Sequence, residues 1–439
     1  MPIPSRLRRW SRRWLIVVLA VSLVSGLTAL ELQARPDPQR AAGAMTVNNR
    51  TSASFEQPAG GLHALELARH ARADLLFDRT HVPLDGSAEA GLGPRFVATS
   101  CIACHVRNGR GRAIPEESLV RLTPEAGLGP QVQDKAVLGA QPEAAVTIHW
   151  RRVRQGQAEL REPAVALVRP DGAAVAPSLA RSLRVAPPLL GLGLLEAVPE
   201  GEIVALEDPL DADGDGISGR AHWITDPAGQ RRLGRFGWKA ITATVRQQSA
   251  AAYQEDMGLT TPVSLDSDRD AAGRPADIGN QELSLVTYYS QTLGAPRTAL
   301  PSGNPLVQRG RRLFEQLHCS GCHVPDLGTG PAPDAVVQAL RNQTIWPYTD
   351  LLLHDMGPGL ADGVAERGAE AEEWRTAPLW GLGLTRRVNP QATFLHDGRA
   401  RSVEEAILWH GGEAEASRLA YGALAHKERE ALLLWLHQL

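Results

Sequence analysis

Sulfur is scarce in this chain, with four cysteines and four methionines among 439 residues. That excludes a disulfide-stapled scaffold, which carries many more cysteines in a much shorter chain. A surplus of positive charge is also missing. Lys and Arg number 46 against 49 Asp and Glu, a formal net charge of −3, whereas nucleic-acid binding draws on a strongly basic face. Apolar residues are not in short supply. At 43% they suit a core-forming globular protein, and the length suits two or three domains.

The four cysteines are all spent on one motif used twice: Cys101-Ile102-Ala103-Cys104-His105 and Cys319-Ser320-Gly321-Cys322-His323. C-x-x-C-H reads as a site of covalent c-type haem attachment, the thiols adding to the haem vinyl groups and the adjoining histidine reaching the iron. A disulfide or a redox dithiol leaves the histidine after both pairs unexplained. The expectation is two covalent haems with His105 and His323 as proximal ligands.

Charge and hydropathy are uneven at the start. Arg6, Arg8, Arg9, Arg12 and Arg13 precede an apolar run from Trp14 to Leu30, the pattern of a secretory signal, here residues 1–34, with an uncleaved anchor as the alternative. Removing it takes away five basic residues and one acidic residue, leaving a net charge of −7. Either version puts the body in the periplasm.

Residues 35–60 carry Pro, Gly, Asn and Ser and read as a flexible leader. Helical apolar spacing runs from His63 to Phe77, Glu282 to Leu293, Leu306 to Leu317 and Lys427 to about His437. Residues 187–199 read as a short buried helix. Partial alternation between Ala145 and Val168 predicts a β-hairpin. These elements imply a mainly α protein with two tandem cytochrome c-like haem domains, residues 61–294 (with the hairpin inserted) and 305–439, joined by a linker over 295–304. Asp211, Asp213 and Asp215, with Gly216, open like a calcium loop. His222 stands where an EF-hand has glutamate, so an acidic turn is the competing reading.

Several further stretches carry a family resemblance: Gly91-Leu92-Gly93-Pro94-Arg95-Phe96, Gly234-Arg235-Phe236-Gly237-Trp238-Lys239-Ala240, Asp256-Met257-Gly258, His354-Asp355-Met356-Gly357 and His396-Asp397-Gly398-Arg399. Together they resemble the diheme c-type oxidoreductases related to bacterial diheme cytochrome c peroxidases, in a branch labelled "thiol oxidoreductase", over roughly residues 60–439. The thiol label does not carry over, because every cysteine is committed. The resemblance implies one closed, electron-storing haem and one where peroxide is reduced. It also implies an electron-donor or acceptor protein (a small cytochrome or a cupredoxin), hydrogen peroxide as substrate and, by analogy, a homodimer. The competing class is an electron-transfer cytochrome with no substrate chemistry of its own.

Within that resemblance, the stretch from His396 to Gly411 matches a segment where a capped helix leads to an axial methionine. Ser402 with Glu405 makes a capping box, and His410 falls at the methionine's place. His410 is therefore expected as sixth ligand of the second haem, with Met356 as the alternative and His354 beside it. Near the first haem, the family carries a glutamate where this chain offers Gln247, with Gln248 alongside. Glutamine hydrogen-bonds but cannot pass a proton, which moves attention to Glu255 and Asp256. Met257 is an alternative cap for the first iron, and Trp238 the aromatic expected between the haems.

Overall fold

The spacing that predicts helices also dictates which faces meet. The computed structural model describes residues 37–82, 91–123, 128–156, 158–264, 275–300, 303–331 and 337–439; the expected signal segment lies outside them. In chain order the helices are α1 (Ala64–Phe77), α2 (Cys101–Cys104), α3 (Leu192–Ala197), α4 (Glu200–Val204), α5 (Val245–Met257), α6 (Asn280–Gln291), α7 (Pro305–Gln316), α8 (Thr385–Val388), α9 (Val403–Trp409), α10 (Glu415–Ala423) and α11 (His426–Leu436).

The boundaries follow from caps. Thr244 accepts from the Gln247 N–H at the start of α5, and Gly258, at φ +69°, ends it in the left-handed region. Asn304 caps α7 with Pro305 as its first residue.

Two helix pairs frame the interior. α1 packs on α6, where Phe77 and Tyr289 meet at 4.8 Å between ring centroids. α7 packs on α11, where Phe314 and Trp435 meet at 4.6 Å. The second pair comes so close that a Cβ on Gly310 would stand 2.0 Å from the Ala431 carbonyl oxygen, so only glycine fits there. Phe314 also lies 6.5 Å from the ring of His323, linking this helix pair to the second pentad.

The strands are β1 (Arg95–Phe96), β2 (Ser118–Leu122), β3 (Lys135–Ala136), β4 (Ala145–Gln155), β5 (Ala158–Val168), β6 (Arg181–Val185), β7 (Trp223–Thr225), β8 (Arg231–Leu233), β9 (Leu327–Gly328), β10 (Thr344–Ile345), β11 (Leu353–Asp355) and β12 (Glu373–Arg375). They pair as six two-stranded antiparallel ladders: β1–β3, β2–β6, β4–β5, β7–β8, β9–β10 and β11–β12. With 31% helix and 18% strand the protein is mixed α/β, which corrects the mainly α expectation. The reason is local. Outside the hairpin these strands are two to five residues long, too short for alternation to register against the surrounding loops.

Residues 38–60 also differ from the expected flexible leader. Ala41, Ala42, Met45 and Phe55 are buried in a core with Leu190, Leu194 and Trp380, and Ala59 N–H donates to the Thr292 carbonyl. Small side chains without a periodic pattern gave no sign of that burial. Residues 38–439 pack as one compact unit. No helix among the described residues is long and apolar enough to cross a membrane.

Candidate functional site

Each pentad closes on itself before it meets anything else. The His105 N–H donates to the Cys101 carbonyl and the His323 N–H to the Cys319 carbonyl, both at 3.0 Å. Cys101, Cys104, His105, Cys319, Cys322 and His323 all line one continuous, mostly apolar cavity of about 480 Å³. The two motifs, 218 residues apart in sequence, are therefore brought to a single interior space.

Both histidines are held from behind. The His105 Nδ1 lies 2.8 Å from the Pro187 carbonyl oxygen and the His323 Nδ1 lies 3.0 Å from that of Tyr348. A carbonyl only accepts, so Nδ1 carries the proton and Nε2 keeps a lone pair. Burial pushes both imidazoles down to about 4, and a neutral ring is what a metal takes. Burial likewise pushes the thiols of Cys101, Cys104 and Cys319 up to about 12, which disfavours thiolate redox chemistry.

His410 has the same posture. It follows α9, which Ser402 opens by accepting from the Glu405 N–H at 3.1 Å. Its Nδ1 lies 2.7 Å from the Ala406 carbonyl. It lines the cavity half-buried, and desolvation lowers its pKa. Met356 lines the cavity as well. His354 does so with both nitrogens engaged, Nε2 at 2.9 Å from Asp350 and Nδ1 at 2.7 Å from Glu413, with the Cys322 sulfur 3.5 Å away. Burial opposes its charge, yet hydrogen bonds to Asp350, Cys322 and Glu413 hold its pKa well above that of an ordinary histidine. His354 is thus a cation locked between carboxylates, unsuited to ligating iron.

On the first pentad's side, Gln247 and Gln248 separate. Gln247 Oε1 accepts from the Ala243 N–H at 3.0 Å, completing the α5 cap, and Gln247 is not among the cavity-lining residues. Gln248 is, with its Oε1 accepting from the Thr242 hydroxyl at 2.9 Å. Trp238 lines the cavity, donates its indole N–H to the Val185 carbonyl at 2.9 Å and lies under the Arg110 guanidinium at 5.3 Å. Met257 packs with Phe77 and Tyr253 at the wall. Asp256 is half-buried on the cavity wall, accepts from the Gln131 amide at 2.7 Å and is pushed by desolvation up to about 7. Glu255 sits next to it, 2.6 Å from Arg121, which also pairs with Glu366 at 2.8 Å.

The same cavity wall carries a group that periodicity does not reveal. Trp374 and His396 stack at 3.6 Å and 9°. The Arg184 guanidinium and the Lys239 ammonium lie 4.6 and 4.2 Å from the Trp374 ring centre. Burial first, then Arg399, Arg184, Lys239 and Arg110, keep His396 neutral. Arg110, Arg184 and Arg375 all line the cavity, and burial lowers Arg110 and Arg375 to about 10. Of this group only Lys239, His396 and Arg399 fall in short motifs, Gly234–Ala240 and His396–Arg399, while Arg110, Arg184, Trp374 and Arg375 carry no sequence signal. Apolar walls, paired thiols, neutral histidines and buried cations suit a flat apolar macrocycle bearing carboxylates, so the residues present fit haem.

A sequence model described as "Di-haem oxidoreductase, putative peroxidase" matches residues 37–128 and 177–439. The chain belongs to this di-haem oxidoreductase family. As a di-haem oxidoreductase it is an enzyme with haem cofactors, in keeping with the two pentads on one cavity. Curated protein sequences yield no match. Among solved structures, hydrazine synthase from Kuenenia stuttgartiensis, pressurized with 20 bar xenon, is similar at 13% identity and a TM-score of 0.40, covering 93% of this chain and 96% of that one.

The acidic loop stands apart from the cavity. The carboxylates of Asp208, Asp211 and Asp213 lie within 4.8 Å of one another, while Asp215 accepts from the Ile217 N–H at 2.8 Å. His222, at the expected twelfth position, is turned to the carbonyls of Lys239 and Arg367.

Proposed function

We propose that this di-haem oxidoreductase carries two covalent c-type haems and reduces peroxide at the first of them, in the periplasm, with electrons from a small cytochrome or cupredoxin. Cys101 and Cys104 attach the first haem and Cys319 and Cys322 the second, with His105 and His323 as proximal ligands. His410 closes the second iron, making that haem the electron store. The observation that carries the reading is the shared posture of His105, His323 and His410: three neutral, half-buried imidazoles lining one cavity, each braced through Nδ1. Haem held by these residues would supply the one-electron carriers for reducing peroxide to water, which takes two electrons.

This chain's residues do the rest. Asp256, not Gln247, holds the proton that cleavage of the O–O bond requires, since it is a half-buried carboxyl on the cavity wall with a pKa near working pH. Gln131 orients it. Glu255, about one-third exposed, connects the pair to solvent. Arg110 and Arg375 are the wall cations that would hold haem carboxylates, Arg184 being paired already with Asp362 at 2.8 Å and Glu366 at 3.2 Å.

Optical and EPR spectra of the ferric and half-reduced protein test this. One low-spin haem with two histidines and one haem that turns high-spin and binds cyanide are expected. Two low-spin haems at every redox level would instead favour an electron-transfer cytochrome, a reading to which Met257 at the cavity wall lends weight.

A further inference from the structure

The stretch that the family's sequence model leaves unmatched, residues 129–176, holds β4 and β5, the longest ladder among the described residues, with eleven paired positions. Its two ends belong to different cores. At the base, Leu167 is buried with Val120, Leu122 and Leu183 of β2 and β6. Toward the turn, Leu160 is buried in the cluster that holds Phe394, Ala400, Val403 and Trp409. Those two leucines are about 23 Å apart at ~3.3 Å per strand residue. The hairpin therefore reaches from the first pentad's half of the sequence onto the second's.

Where it lands is specific. Arg161 Nε donates to the Arg399 carbonyl at 3.2 Å and Arg161 Nη2 to the Gly398 carbonyl at 3.3 Å. Arg401 Nη2 donates back to the Glu159 carbonyl at 3.1 Å. The Arg161 guanidinium lies over Trp150 at 3.9 Å from the ring centre, a cation–π contact that helps fix its direction. The next residue after Arg401 is Ser402, the cap of α9, and His410 directly follows that seven-residue helix. A two-turn helix transmits a displacement of its first residue to its last, so whatever holds residues 398–401 holds His410.

We propose that the β4–β5 hairpin is a brace for α9, and that Arg161 is a positioning residue that keeps His410 on the second haem. The inference rests on the reading of His410 as axial ligand. The brace slows release of that ligand, which keeps the second haem closed while electrons pass through it.

The test uses the full-length holoprotein in three variants: Arg161→Ala, Arg161→Ala with Leu160→Ala, and His410→Ala as reference. EPR of the ferric protein and stopped-flow carbon monoxide binding to the reduced protein are read at each haem, the second haem being assigned from the signal that His410→Ala alters. His410→Ala is expected to make the second haem high-spin and rapidly CO-binding. The brace variants are expected to stay low-spin at rest while CO association at that haem rises roughly tenfold, with the first haem unchanged. If His410→Ala behaves as expected but both brace variants keep the wild-type CO rate, the brace is overturned and the ligand stands. If His410→Ala leaves the second haem low-spin, ligand and brace fall together. Should the double variant fail to take up haem, Arg161→Ala alone decides, because its hydrogen bonds to residues 398–399 go to backbone carbonyls and no acid loses its partner.

Discussion

His323 and His410 sit in one cavity in the same posture, each giving its Nδ1 proton to a backbone carbonyl, Tyr348 at 3.0 Å and Ala406 at 2.7 Å. His410 depresses the His323 pKa electrostatically, so the two rings are near enough to feel one another. A pair of neutral imidazoles with free Nε2 atoms is the arrangement that bis-histidine ligation needs.

The first prediction concerns this pair. Replacing His410 with methionine is expected to raise the midpoint potential of the second haem by roughly a tenth of a volt or more, since the axial ligand is a principal lever on haem potential. A spectroelectrochemical titration measures it. An unchanged potential would remove His410 from the ligand set.

Asp256→Asn is expected to lower peroxide turnover by about 10²–10⁴, the usual worth of a positioned acid, with Soret and EPR signatures retained. The same variant has a stability signature. Burial raises the Asp256 carboxyl from 3.8 to about 7, so the folded protein binds a proton that the unfolded chain has lost, and stability falls as pH rises from about 4 to 7. Asn removes that slope. Thermal unfolding across this pH range is expected to show the variant gaining on the wild type by on the order of a few kcal/mol at neutral pH.

Gln247→Ala separates a helix cap from a catalytic group. It is expected to cost about 1 kcal/mol of stability by unpairing the Ala243 N–H, with peroxide turnover within twofold of wild type. A large loss of turnover at unchanged stability would return Gln247 to the reacting centre.

Gly310→Ala places a methyl where the Ala431 carbonyl already stands. The expected cost is about 1–3 kcal/mol, as for other overpacked cores, and the second haem's spectrum should change while the first haem's does not. Differential scanning calorimetry with resonance Raman spectroscopy checks both halves of the claim.

Local chemistry was legible in the sequence and long-range placement was not. The pentads could be read because five consecutive residues carry the whole instruction. The helix before His410 could be read because Ser402 and Glu405 announce its start, whereas the interest of His410 itself came from the family resemblance. Gln247 and its neighbour are one position apart, and a helix turns 100° per residue, so only the structure distinguishes the one that caps from the one that lines the wall. Trp374 and Arg375 come from β12, Arg184 from β6, and Arg110 and His396 from loops, and no periodicity marks residues assembled by tertiary contact. Residues 38–60 read as a leader because proline and glycine mask how much alanine and methionine they bury.

The single cavity has a bearing on biogenesis. No wall of protein divides the space beside Cys101 from that beside Cys319. On the covalent reading, the two macrocycles supply the interior that side chains elsewhere provide. The polypeptide alone then lacks those packing contacts, and unfilled apolar interior is costly. Cofactor ligation must precede or accompany final compaction, and a chain that receives only one haem is expected to be a substrate for proteolysis.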